Sequence, residues 1–397
     1  MKYLNSLLII VLIITSKAAL SQDSAHTESY SFTKAIELGY TPVKDQFKSG
    51  TCWSFATVSF LESELLRIGK GTIDLSEMFF VHHTYVKKAE RYVRYHGASN
   101  FGPGGQAHDV IDIMRKHGLV DQVKYPGLYE GENKHDHGEL DAVLEGFLKS
   151  VVSNKSGKLS PVWPVAYRSI LNSYLGEIPG NKDVVSLTNN PVTLNNMGLN
   201  PDDYIEITSY THHPFYSSFV LEIPDNWSSS SYFNVPLDDM IRIIKHSLQS
   251  GYTVCWDGDV SDRGFSHKNG LAIIPEMLPI LPTGTEMSKW EQMSEKERAE
   301  LVYNFKEIRV EKTITQEMRQ EAFNNFQATD DHLMHLVGLV KDQTGKDYFI
   351  TKNSWSDKSN DHGGVLNMSE SFLRLNTIAI MVHKDAVPKD IRIKLNL

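Results

Sequence analysis

Two kinds of apolar spacing divide this chain by position, and their order restricts the fold more than any other feature of the sequence. From Cys52 to Ile68 the residues Trp53, Ala56, Phe60, Leu61, Leu65 and Ile68 recur at helical spacing, and Gly69 supplies a stop. The pattern predicts a buried helix that starts at the cysteine. A second helix is expected from the cap Ser76 to about residue 92, and a third from about 106 to 117, ended by Gly118. Towards the other end, after a helix at 237–249 and a strand at 252–256, residues 333–341, 348–352 and 364–368 read as short β-rich runs. Helices first and strands last indicate an α+β protein with segregated layers.

The segment between, about 131–236, is richer in Asn, Ser, Pro and Gly and weakly periodic, as in Asn189-Asn190-Pro191 and Ser228 to Ser231. It reads as long surface excursions with a few strands. A charged stretch at 289–324 reads as helix with a solvated face. At roughly 150 residues per domain, the 397 residues allow two to three core-sized units or one elaborated domain. Cys52 and Cys255 are the only cysteines, so no disulfide framework and no four-Cys metal site can hold the fold. A net charge of −9 argues against a nucleic-acid binder, which needs positive charge to displace phosphate counterions.

Residues 1–21 read as a signal peptide. Lys2 precedes the apolar run Leu7 to Ile14, and Ala19-Leu20-Ser21 places small residues before a cleavage after Ser21. The run is far shorter than the ~20 residues that span a bilayer, so the expected mature protein is exported, periplasmic or secreted, without stable membrane insertion.

The chemistry concentrates at Gln46-Phe47-Lys48-Ser49-Gly50-Thr51-Cys52-Trp53. A cysteine at a helix N-terminus has its thiolate favoured by unpaired N–H groups and the positive end of the dipole. Acyl transfer also needs a base, a group that orients the base, and oxyanion donors. His332 opens one strand run and Asn353 closes the next, and antiparallel pairing would set them side by side.

Here the sequence resembles the papain superfamily of cysteine peptidases. Ser49-Gly50-Thr51-Cys52-Trp53 matches the cysteine motif, Gln46 stands at the position of the oxyanion glutamine, Asp331-His332 with Gly338 resembles the histidine strand, and Asn353-Ser354-Trp355 resembles the orienting Asn-Ser-Trp. Gly102-Pro103-Gly104-Gly105 resembles the glycine-rich wall that pairs with extended substrate. His332 and Asn353 follow Cys52 by 280 and 301 residues, against roughly 130 to 150 in the common pattern, so large insertions are implied. Ser49 also replaces a disulfide cysteine. Both departures are similar to the bleomycin hydrolase and aminopeptidase C branch, as are Leu75-Ser76-Glu77-Met78-Phe79-Phe80, Gly104-Gly105-Gln106 and Trp256-Asp257-Gly258-Asp259-Val260.

The resemblance implies a papain-like two-lobed α+β fold with large insertions: a helical lobe at about 45–130 carrying Cys52, an insertion-rich region at about 131–236, and a β lobe at about 237–390 carrying His332 and Asn353. Residues 22–397 are then one peptidase domain. It implies Cys52 as nucleophile, His332 as its imidazolium partner, Asn353 as the orienting group and Gln46 as oxyanion donor, with Gly104, Gly105 and Trp355 at the substrate side. No metal or cofactor is implied; the expected partners are peptide substrates, and a homo-oligomer is admitted.

His335 competes with His332, since an offset of three in a strand points to opposite faces; the spacing to Gly338 selects His332. The His82-His83, His135-Asp136-His137 and His212-His213 groups lack zinc-peptidase spacing and read as solvated loops, and Cys255 reads as a buried inert thiol. The branch implies aminopeptidase action enforced by the chain's own C-terminal carboxylate. Here only nine residues follow Pro388, and Lys389, Arg392 and Lys394 among them would repel an ammonium. An endopeptidase of the same fold, a bleomycin-type amide hydrolase or thiolactonase, and a catalytically silent peptide binder are the competing readings.

Overall fold

Helix α1 (Cys52–Arg67) is buried continuously from Cys52 to Leu65; its residues there are apolar or small apart from Glu62, which accepts the Leu75 N–H, and Glu64, which is paired with Arg67. In the computed structural model residues 29–129, 131–180, 197–276 and 293–397 are described; the expected signal peptide, Asn189-Asn190-Pro191 and the start of the charged stretch lie outside the described residues. Helix α2 (Glu77–Arg94) begins where Ser76 Oγ accepts the Phe79 N–H at 3.1 Å, and α3 (Ala107–His117) stops at Gly118, which takes a φ of 85°.

The middle region departs from the expected excursions. It holds two more helices, α4 (Gly138–Val152) and α5 (Trp163–Leu175), which bury Leu140, Leu144 and Leu148, and Tyr167, Leu171 and Leu175, against α2. These side chains extend the core of the helical lobe. A spacing of four lines them on one face, so the helices dock without needing high polarity contrast elsewhere.

The β lobe is built on one eleven-stranded sheet of β1 (Phe32–Glu37), β2 (Tyr204–Thr208), β3 (Ser217–Val220), β4 (Ser231–Asn234), β5 (Val254–Gly258), β6 (Phe265–Ser266), β7 (Leu271–Ala272), β8 (His332–Asp342), β9 (Asp347–Lys352), β10 (Val365–Ser369) and β11 (Thr377–His383). Its order is β3-β4-β2-β11-β5-β8-β9-β10-β7-β6, with β1 also paired to β8. All neighbours are antiparallel except β2 with β4 and β10 with β7. Helices α6 (Leu237–Gln249), α9 (Glu370–Asn376) and α10 (Lys389–Leu395) contribute to a second core with Trp256, Leu336, Phe349 and Ile380. Two further helices, α7 (Glu295–Val302) and α8 (Gln316–Asn324), occupy the charged stretch, and Arg319 of α8 is buried against the Ser209 carbonyl rather than solvated.

Helix α1 lies against β5 and β8, which joins the lobes. Beside it, His108 of α3 is clamped to Glu206 of β2: Nδ1 stands 2.7 Å from one carboxylate oxygen, and the His108 backbone N–H donates to the other at 3.1 Å. Burial alone would lower the imidazole pKa, but Glu206 and then Asp109 override it and raise it to about 9. The folded value lies above the unfolded one, so the pair stabilises fully below about pH 6.5 and loses that contribution as pH rises through about 9. Glu206→Gln should therefore cost on the order of 3 kcal/mol at pH 6, and the gap to wild type should narrow by pH 9 to 10. Denaturant unfolding at the two pH values measures it, and a gap that is constant or widens with pH would refute the clamp.

Candidate active site

Cys52 stands at the first helical position of α1, where Thr51 makes no side-chain cap and no acidic residue occupies the first turn. The N–H groups of Trp53 and Leu333 favour its thiolate. The expected low thiol pKa nevertheless does not follow from the helix end. Burial outweighs these donors, Asp257 and Asp225 add to it, and the thiol is pushed up to about 12. His332 is driven the other way, down to about 4, chiefly by burial and against its bond to Asn353. Each group thus resists ionising alone. Opposite charges created together by moving one proton from sulfur to imidazole offset much of that penalty, which makes the ionisation of each dependent on the other.

The structure brings His332 and Asn353 together. His332 Nε2 lies 2.7 Å from Asn353 Oδ1, which also accepts the Ser354 N–H at 2.7 Å. His332 and Asn353 are buried, and the half-buried Trp355 ring lies over His332 at 4.8 Å, which keeps water from that bond. With Nε2 engaged, Nδ1 is the ring nitrogen left for the thiol. Gln46 is fixed from the same segment: its backbone N–H donates to the Ser354 carbonyl at 2.8 Å, and Ser354 Oγ donates to Gln46 Oε1 at 2.6 Å. With its oxygen occupied, Gln46 presents its NH₂ end as donor.

Strand alternation by itself would have selected the other histidine. Leu333 and His335 share the face that packs on α1, and His335 Nδ1 meets Ser59 Oγ at 2.8 Å, well inside that helix. His332 instead occupies the first position of β8, paired with Gly258, and reaches Asn353. Cys255, as expected, is a buried thiol, 3.5 Å from Thr57 Oγ1.

The glycine wall approaches closely. Trp53 Nε1 donates to the Pro103 carbonyl at 2.9 Å, and a Cβ on Gly105 would lie 2.9 Å from an Asp109 oxygen and 3.0 Å from the Trp53 ring. A Cβ on Gly104 would lie 2.0 Å from Asp225 Oδ2, so any larger residue there would displace the Asp225 carboxylate. Lys88, buried beneath, donates to the carbonyls of Gly102 at 2.6 Å and Gly104.

Sequence reasoning missed His267. Asn353 Nδ2 donates to its Nδ1 at 3.3 Å, its Nε2 meets Ser359 Oγ at 2.6 Å, and burial lowers its pKa, so a neutral imidazole steadies the amide that holds His332. It sits after a two-residue strand, 86 positions before Asn353, with no local pattern to mark it.

The histidine pairs read as solvated loops are corrected in part. His82 is buried on α2 and bonded to Asn172 at 2.9 Å, His83 stacks on His117 at 4.0 Å, and His135 and His137 are buried. His212 and His213 share Glu222, at 3.2 and 2.9 Å, and among the described residues they form the one group with atoms close enough to hold a metal ion.

Residues 29–160 match the family model for papain family cysteine proteases. Aminopeptidase G of Lactobacillus delbrueckii subsp. lactis is 22% identical over 403 residues, which cover 90% of this chain and 84% of that protein. Cysteine proteinase 2 of Entamoeba histolytica is 36% identical over 120 residues, 29% of this chain and 35% of that protein. Among solved structures, PepW from Lactobacillus rhamnosis HN001 superposes with a TM-score of 0.67 at 18% identity, covering 92% of this chain and 84% of its own. A cysteine that opens the buried helix of one lobe, a sheet in the other, and matches that run nearly the whole chain make this protein similar in sequence to papain family cysteine proteases and to aminopeptidase G, with the fold of PepW.

Proposed function

We propose that the chain is exported and hydrolyses peptide bonds through Cys52, His332 and Asn353, with aminopeptidase-like preference. The observation that carries the reading is the buried 2.7 Å contact of His332 with Asn353, which commits one ring nitrogen and leaves the other for a thiol. In the forward step Cys52 Sγ gives its proton to His332 and attacks the carbonyl carbon. His332 returns that proton to the departing amine, leaving a thioester that water then hydrolyses with His332 as base. The developing oxyanion would be met by the Cys52 backbone N–H and the Gln46 amide. Gln46→Ala should lower kcat by about 10² to 10³ with little change in KM, and an unchanged kcat would remove Gln46 from the site.

The preference for free amino termini rests on the relatives' names and not on the terminal segment. Residues 389–395 form α10, which buries Ile391 and Leu395 in the β-lobe core, and Asp390 pairs with Arg242 on α6. Lys394 lies against Tyr216 and Asp239, and none of these partners belongs to the candidate site. Export rests on the signal-peptide pattern of residues 1–21. Hydrolysis of free and N-terminally blocked peptides, with and without a thiol alkylator, tests the reading: alkylator-sensitive cleavage from free amino termini is expected, and cleavage that survives alkylation would overturn it.

A further inference from the structure

Two carboxyl groups, Asp257 and Asp225, bear on Cys52, and a third, Asp330, is bonded to Asp225; none has a function in the steps above. Asp257 follows Cys255 on the face of β5 turned to α1, opposite Leu333 in register, so it lies at the Cys52 end of that helix. It is 3% exposed, yet neither of its oxygens has a partner at hydrogen-bond distance among the described residues; Gln106 is the nearest donor that favours its charge. Asp225 presses its carboxylate on Gly104, in the wall that faces extended substrate, and is held there by Asn100 at 3.3 Å. Asp330, two residues before His332, accepts the Asp225 N–H at 3.1 Å.

These groups oppose one another. Burial raises all three above the ordinary carboxylate range, Asp330 to about 7, with Asp330 and Asp225 adding to Asp257, Asp225 to Asp330, and Asp109 to Asp225. The cation facing Asp225 is Lys88, whose ammonium is already committed to the Gly102 and Gly104 carbonyls. An enclosed acidic patch with an unpaired buried carboxylate is short of one positive charge. The terminal helix α10 is tied elsewhere, by Asp390 to Arg242 on α6.

We infer that Asp225, Asp257 and Asp330 form a subsite that takes a protonated primary amine of the substrate and seats it one step from the Cys52 sulfur. This rests on the peptidase reading and names the residues that would give it its selectivity. Two sources carry such an amine, the α-ammonium of a peptide and a lysine side chain, and the chemistry of the subsite is the same for both.

Reversible dipeptide nitriles test it on the full chain, because they add to the thiol whether or not the peptide is turned over. Three are compared: a neutral dipeptide nitrile with a free amine, its acetylated form, and an acetylated form carrying lysine. Wild type should bind one of the two cationic nitriles at least about 10² more tightly than the acetylated neutral one, and Asp257→Asn should shrink that ratio about tenfold or more. Asp225→Asn is the second variant should Asp257→Asn not fold. The cationic nitrile whose advantage collapses identifies the source of the amine. Equal binding of all three nitriles by wild type, or ratios unchanged in both variants, overturns the subsite while leaving the peptidase standing. A wild type that binds no nitrile and cleaves no peptide removes the peptidase reading and the subsite together.

Discussion

Cys52→Ala is expected to abolish peptide hydrolysis, with a loss of at least about 10⁵ in kcat, while the protein folds normally. No other described thiol can take over: Cys255 is buried on β5 and faces Thr57 within the lobe junction. The cost in stability should be small, on the order of 1 kcal/mol, because one sulfur is removed from the rim of the helical core. Turnover and thermal unfolding on the same preparation separate the two effects. Substantial turnover by the folded variant would end the cysteine-peptidase mechanism.

Replacing each of the two histidines of β8 in turn should give a second large contrast. With His332→Ala the thiol loses the group to which its proton can pass, and burial then holds it near its isolated value of about 12. Its reaction with iodoacetamide at pH 7 should fall by at least about 10², together with hydrolysis. His335→Ala should keep both. His335 contacts Ser59, its Nε2 has no described partner, and burial with the adjacent Lys352 charge holds its pKa well below the ordinary range. Rapid alkylation in the His332 variant and its loss in the His335 variant would exchange the assignments.

The elements legible in the sequence are those whose burial shows as a local pattern. Helix α1 and its start at Cys52 follow from spacing alone, as do α2 with its Ser76 cap and α3 with its Gly118 stop. Strands β8, β9 and β10 fall within two residues of their expected limits. Strand β11 was silent because all seven of its residues are buried, which removes alternation, and β1 because its place comes from pairing with β8 rather than from an apolar face. Helix α4 did carry a signal in Leu140, Leu144 and Leu148, outweighed by the turn-forming residues around it. In the candidate site, Cys52, His332, Asn353 and Gln46 were found through motif resemblance. His267 and Asp225 meet Asn353 and Gly104 through contacts made across the fold, and no window of sequence contains those contacts.

The pairing of β1 with β8 joins Phe32 to Asp342 and so sets a sequence of events during synthesis. The first strand leaves the ribosome early and finds no edge to join until the histidine strand is made. The thiol waits with it, since His332 follows Cys52 by 280 residues, about 15 to 60 s of elongation at 5–20 residues per second. On the proposed mechanism the growing polypeptide carries, throughout that interval, a nucleophile without a base. Hydrolytic capacity would then arrive with the last strands of the sheet, and a chain stalled before His332 would have none.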